Sequence, residues 1–149
     1  MLTIHAADEV RYTWDGTEPV KEGAVAVVGI RIAAVGPLAE VREEFPDARV
    51  RSWPGTLGPA RIHEGPLPDA PSPRERIHAV LKLGAVAVLE QYVDSPELRA
   101  AAERNDVAVL ECTRPAAIIP TGRADLAVFD GTGACIATVC AGRLVHRRR

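Results

Sequence analysis

Few residue types in this chain of 149 residues could do chemistry, and their spacing limits what that chemistry can be. The stretch "RIHEGP" places His63 beside Glu64 at the end of a short apolar run. Side chains two apart on a strand point the same way, so a His-x-His ending would offer a divalent metal two imidazoles from one edge. Here the second position is Gly65, which has no donor atom. Read from the residues alone, His63 is a loop-side histidine hydrogen-bonded to backbone. The competing reading makes it a metal ligand paired with Glu64. Asp94, in "YVDSPEL", directly precedes Ser95-Pro96 and reads as an electrostatic support for the helix that follows. His78 falls inside a helix beside apolar Ile77, and His146 in the last strand.

Three cysteines, an odd number, fit a reducing compartment better than a disulfide framework. Cys135 and Cys140 lie five apart in "CIATVC", and in a regular strand that odd separation sends them to opposite faces, where they cannot share one ion. Cys112 closes the run "VAVLEC" and reads as a buried structural thiol. "DGTG" lacks the helix start that a phosphate-cradling loop needs behind it. The arginines of "HRRR" form a short basic tail, read as a solvated end. A hydrophobic fraction of 47%, a charged fraction of 26% and a formal charge of −2 describe a globular protein and give no electrostatic case for nucleic acid. "MLTIHAADEV" reads as neither signal peptide nor anchor, no run reaches membrane-spanning length, and the expected location is the cytoplasm.

The elements that must position these residues fall into three parts. "AVAVV" and "RIAAV" are valine-rich runs around Gly29-Ile30, and a glycine leading a two-residue loop predicts a hairpin with a type II′ turn. Leu38, Val41 and Phe45 predict a short helix before "ARVRSW" resumes an extended course. The last third repeats the β texture in "ADLAVFD", "ACIATVC" and "RLVHR", with a turn at Ala141-Gly142. Between these ends the proline-rich "GPLPDAPSPRE" leads to a capping box, Ser72-Pro73-x-Glu75, which predicts a helix that Gly84 stops. "AVAVLEQYV" and "VAVLEC" read as buried strands flanking a second helix capped by Ser95. Strand and helix alternating in this way predict parallel βα units.

"EGAVAVVGIRIAAVGP" with "WPGTLGPARIHEG" resembles the N-terminal segment of the amidohydrolase superfamily, in particular imidazolonepropionase-like and aminodeoxyfutalosine deaminase-like members. "GRADLAVFDGTG" with "ATVCAGRLVHR" resembles their C-terminal segment. The resemblance spans residues 20–65 and 118–149. It implies a mixed α and β fold in which both chain ends, 1–59 and 118–149, build a composite β-sandwich around an α/β insert, 60–117. In the family a metal-bearing (β/α)8 barrel occupies the insert position, and such a barrel needs ~250 residues where about sixty are present. The insert is therefore expected to be a barrel remnant. The resemblance maps His63 onto the first metal ligand, replaces the second by Gly65, and sets Asp94 where the water-activating aspartate belongs; Arg123-Ala124-Asp125 becomes architectural. Two functions follow as expectations. One is a catalytically degenerate composite domain that binds no cofactor and acts by self-association or protein binding. The other is a hydrolase of carbon-nitrogen bonds other than peptide bonds, with zinc or iron held by His63, Glu64 and Asp94 in a cleft between sandwich and insert.

Overall fold

In a computed structural model, which describes residues 2–16 and 18–148, ten strands and three α-helices form two sheets. The larger sheet has seven strands in the order β10-β9-β8-β4-β1-β2-β3. It joins the N-terminal strands β1 (Leu2–Val10), β2 (Val20–Val28), β3 (Arg31–Pro37) and β4 (Arg49–Pro59) to the C-terminal strands β8 (Leu126–Phe129), β9 (Cys135–Cys140) and β10 (Arg143–Arg147). The seam is the antiparallel pair β4-β8, where Pro59 stands opposite Leu126. β1 and β4 run parallel, all other pairs of this sheet antiparallel.

The sheet folds over its own interior. Val10, Val25, Ile32, Leu57, Leu126, Val128, Ile136 and Val139 form one buried cluster drawn from both chain ends, which gives the fold its sandwich-like character. The two hairpin turns meet where it closes. Gly29 opens the β2-β3 turn at φ +59°, while Ile30 stays in the ordinary region, as the type II′ reading requires. Ala141 and Gly142 make the β9-β10 turn with both φ positive. The Ala124 N–H donates to the Ile30 carbonyl at 2.7 Å and the Gly142 N–H to the Ala124 carbonyl at 2.9 Å, so residues just before β8 staple one turn to the other.

The smaller sheet is parallel, β5-β6-β7, from β5 (Arg61–His63), β6 (Ala85–Leu89) and β7 (Ala108–Leu110). The helix α2 (Pro73–Lys82) connects β5 to β6, and α3 (Pro96–Arg104) connects β6 to β7, the alternation expected of βα units. The caps are those the sequence announces. Ser72 Oγ accepts from the Glu75 N–H at 3.2 Å and Ser95 Oγ from the Leu98 N–H at 3.1 Å, each satisfying an orphan amide of the first turn. Ile77, Val80, Leu81, Leu98 and Ala102 then pack under Val88 and against Phe129 and Cys140 of the large sheet. A third helix, α1 (Leu38–Glu44), seats Val41 on Ile4, Ala24 and Ala26.

Several sequence expectations give way here. β6 ends at Leu89, because Glu90–Tyr92 turn into a short 3-10 segment, and β7 stops at Leu110. Cys112 is therefore exposed beyond the strand end and is not a buried thiol. Nor do Cys135 and Cys140 face opposite ways. Phe129 pairs with Cys135 and Val128 with Ala137, so Ile136 is an extra residue that restores parity. Both thiols pack on the helical side. Of the tail "HRRR", Arg149 lies outside the described residues. Arg147 sits 5.7 Å from the Trp53 ring centroid and Arg148 pairs with Asp130 at 2.8 Å, so these two are anchored more firmly than a solvated end.

Candidate functional site

The residues singled out for chemistry sit at the C-terminal ends of the parallel strands. His63 closes β5, opposite Val88 of β6, and its Nε2–H donates to the Pro66 carbonyl at 2.9 Å. That contact occupies the nitrogen with a proton and leaves it no lone pair for an ion. Glu64 beside it is exposed. A Cβ built on Gly65 would meet nothing within 4 Å, so no packing demand explains the glycine, and a ligating side chain is missing although there is room for one. Asp94 is exposed past the 3-10 segment after β6, immediately before the Ser95 cap of α3. No hydrogen bond or ion pair joins these three residues. Among the described residues, no group of three or more His, Cys, Asp or Glu side chains converges as metal ligands do. The donor set does not fit a resident zinc or iron.

A cleft does lie between the large sheet and the parallel unit, with a volume of about 350 Å³. Its walls come from residues 59–62, from Val86 and Ala87, and from the irregular segment 114–123. The expected trio is not in it. Arg61, Arg114, Arg123 and Asp125 supply its charge, and the rest of the lining is mainly small and apolar. Arg61 is itself committed: its guanidinium lies 4.3 Å from the Phe129 ring centroid and 4.9 Å from that of Trp14. Trp14 in turn meets Phe129 edge to face and donates its indole N–H to the Pro59 carbonyl at 2.7 Å. This cluster locks the point where the chain leaves β4 for β5.

One titratable group the sequence did not single out is His5. It is 3% exposed in the middle of β1, stacked on Trp53, and its Nδ1 accepts the Trp53 indole N–H at 3.2 Å. Burial, with a smaller contribution from the Arg51 charge, lowers its pKa to about 4, so the ring is neutral at physiological pH. No local sequence signal marks it: the register that sets His5 opposite Arg51, with Trp53 two residues further along β4, is a long-range pairing. The two sheet cysteines are poor nucleophile candidates, since burial raises the Cys135 thiol and pushes Cys140 up to about 11.

Comparison with known proteins bears on the sheet more than on these side chains. Residues 23–48, which run from β2 through α1, match the family model described as imidazolonepropionase-like composite domain, bacteria. Over those residues the chain is similar to that composite domain. Solved structures share the fold. Aminofutalosine deaminase of Helicobacter pylori superposes with a TM-score of 0.56 at 15% identity, over 73% of this chain and 32% of that one. Guanine deaminase of E. coli gives 0.54 at 14% identity, over 73% and 35%, and an adenosine deaminase from Xanthomonas campestris with bound zinc gives 0.52 at 17%, over 72% and 33%. The chain thus spans about a third of the length of the solved structures it matches. Comparison with curated proteins gave no match.

Where the large sheet closes, Arg123 and Asp125 hold the turns together. The Arg123 Nε–H bridges both carboxylate oxygens of Asp125 at 2.9 and 2.8 Å, and Asp125 Oδ1 also accepts the Ala141 N–H at 2.9 Å. A second nitrogen of Arg123 donates to the Asp106 carbonyl at 2.6 Å. The pair therefore ties the β9-β10 turn to the end of α3.

Proposed function

We propose that this composite domain is catalytically degenerate and acts by binding, in the first instance to a second copy of itself. The observation that carries this reading is the pair of open flanks on the parallel sheet. Among the described residues, β5 and β7 each leave one side of the backbone ladder without a strand partner, and edges of that kind are covered by another chain or element. Apolar surface near the hairpin junction supports it: Ile30 is 52% and Ile119 60% exposed, beside the hydrogen bonds that tie Ile32 to residues 121 and 122. Light scattering on the purified chain at low micromolar concentration is expected to give a dimer mass. A clean monomer with nothing co-purifying overturns the reading.

A second reading is a metal-dependent hydrolase of carbon-nitrogen bonds other than peptide bonds, as the deaminase-like fold suggests. It requires His63, Glu64 and Asp94 to gather ligands from another subunit, with a metal that would lower the pKa of a bound water. Metal analysis of protein prepared without chelator separates the two. Less than about a tenth of an equivalent of zinc, iron or manganese defeats the hydrolase, because a catalytic site retains its ion through purification. The three unpaired cysteines support a cytoplasmic location, and no described helix is long and apolar enough to cross a membrane.

A further inference from the structure

We infer that the hollow between α2, α3 and β10 is a binding site for a soluble organic phosphate ester. Its volume is about 430 Å³, ample for a small metabolite. Arg74 and His78 of α2, Arg104 at the end of α3 and Arg143 at the start of β10 converge on it, while Leu81 and Val145 supply an apolar wall. Three elements far apart in sequence thus bring four basic side chains to one concave surface in a chain whose net charge is −2.

Local charge balance does not account for the arrangement. Glu75 is the one carboxylate in the lining, and it accepts the Ser72 hydroxyl at 3.0 Å within the helix cap. Asp106 answers Arg143 at 2.7 Å, and Arg74 and Arg104 keep no ion pair among the described residues. Arg74, His78 and Lys82 repeat at four-residue spacing on the exposed side of α2, which lines one helix face with basic side chains. Burial holds His146 on β10 below the usual histidine range, and Lys82, His78 and Arg148 push the same way, so positive charge collects across this face. Guanidinium groups with free N–H forks match phosphate oxygens two at a time. The apolar wall favours an ester with an organic body over the bare ion. The lining contains no aromatic ring on which a base could stack, which argues against nucleic acid.

The proposal is independent of self-association, and the test uses the full chain. Phenyl phosphate is titrated into isotopically labelled protein at low ionic strength, with amide shifts read by NMR. Shifts confined to residues 72–82, 103–107 and 142–146, saturating below millimolar ligand and weakening as salt is added, are expected. The double variant Arg74→Gln/Arg104→Gln should raise Kd by about tenfold or more, equivalent to ~1.4 kcal/mol. Both side chains are exposed and unpaired, so its melting temperature should stay near that of the parent. Arg104→Lys, which keeps the charge and loses the fork, gives a second readout with an intermediate Kd if the double variant folds poorly. No shifts, shifts elsewhere, or a Kd indifferent to these substitutions overturn the proposal. So does equal affinity for inorganic phosphate, or binding to anionic lipid vesicles or a single-stranded oligonucleotide without binding phenyl phosphate.

Discussion

Acidification should destabilise this protein through one imidazole. His5 is 3% exposed and stacked on Trp53, accepts the indole hydrogen bond on Nδ1, and has its pKa lowered from 6.5 to about 4. Above pH 6.5 neither the folded nor the unfolded chain protonates the ring, and its burial carries no proton-linked penalty. As pH falls from 6.5 towards 4, the unfolded chain takes up a proton that the folded chain refuses, so the equilibrium shifts towards unfolding. The linkage is about 1.4 kcal/mol per pH unit for one proton, and over this window the loss approaches about 3 kcal/mol. Below the folded-state pKa both states are protonated and the loss stops growing. Carboxylates titrate nearby, so the measurement is a difference. Urea unfolding of the parent and of His5→Gln, followed by circular dichroism from pH 7.5 to 4, should show the parent's advantage over the variant shrinking by about 3 kcal/mol. Direct NMR titration of the His5 ring should show no protonation above pH 5. A ring that titrates near 6.5, or a difference between the two proteins that does not vary with pH, would refute the reasoning.

Three further outcomes follow from the packing. Gly142→Ala should lower stability by roughly 2 kcal/mol or more in chemical unfolding, since φ is +79° there and a Cβ would collide with the Gly29 carbonyl of the opposing turn. The neighbouring Ala141→Gly should move the other way, by up to about 1 kcal/mol, because Ala141 already holds φ +50° and its N–H contact with Asp125 survives the change. Leu98→Ala should cost about 2–5 kcal/mol, the residue being fully buried between α3 and the parallel sheet. For the thiols, a disulfide reagent at mild pH should titrate one cysteine, Cys112, in the native protein and all three in urea; prompt reaction of Cys140 would contradict its burial.

What could be read from the sequence was whatever is encoded locally. The Gly29-Ile30 turn, the Ser72 and Ser95 caps and the stop at Gly84 each depend on a few adjacent residues, and they stand where those residues predict. The sheet built from both chain ends was legible through resemblance, since nothing in periodicity alone pairs β4 with β8 across the whole insert. Properties that depend on distant neighbours were not legible. An extra residue at Ile136 is invisible to a parity rule, so the two sheet cysteines were assigned to opposite faces. Strand length was overread at both "AVAVLEQYV" and "VAVLEC", because apolar residues continue past the point where backbone pairing stops, and Cys112 was carried inside with them. His63, Glu64 and Asp94 were placed in order along the parallel strands, but an ordered sequence of candidates is not a convergent set. The buried His5 and the basic hollow required knowing which elements lie side by side.

Because Pro59 and Leu126 face each other as ladder partners, the strand that leaves the large sheet and the strand that resumes it meet at one seam. Everything between is an excursion that begins and ends at that seam, although α2 also leans on β9, where the Thr138 hydroxyl donates to the Leu81 carbonyl at 2.7 Å. Lengthening such an excursion is entropically mild, about 0.6 kcal/mol for each doubling of a flexible loop. An architecture hinged this way can carry cargo of very different size at that mouth, from a minimal parallel unit to an entire additional domain, without altering one strand pairing at its base.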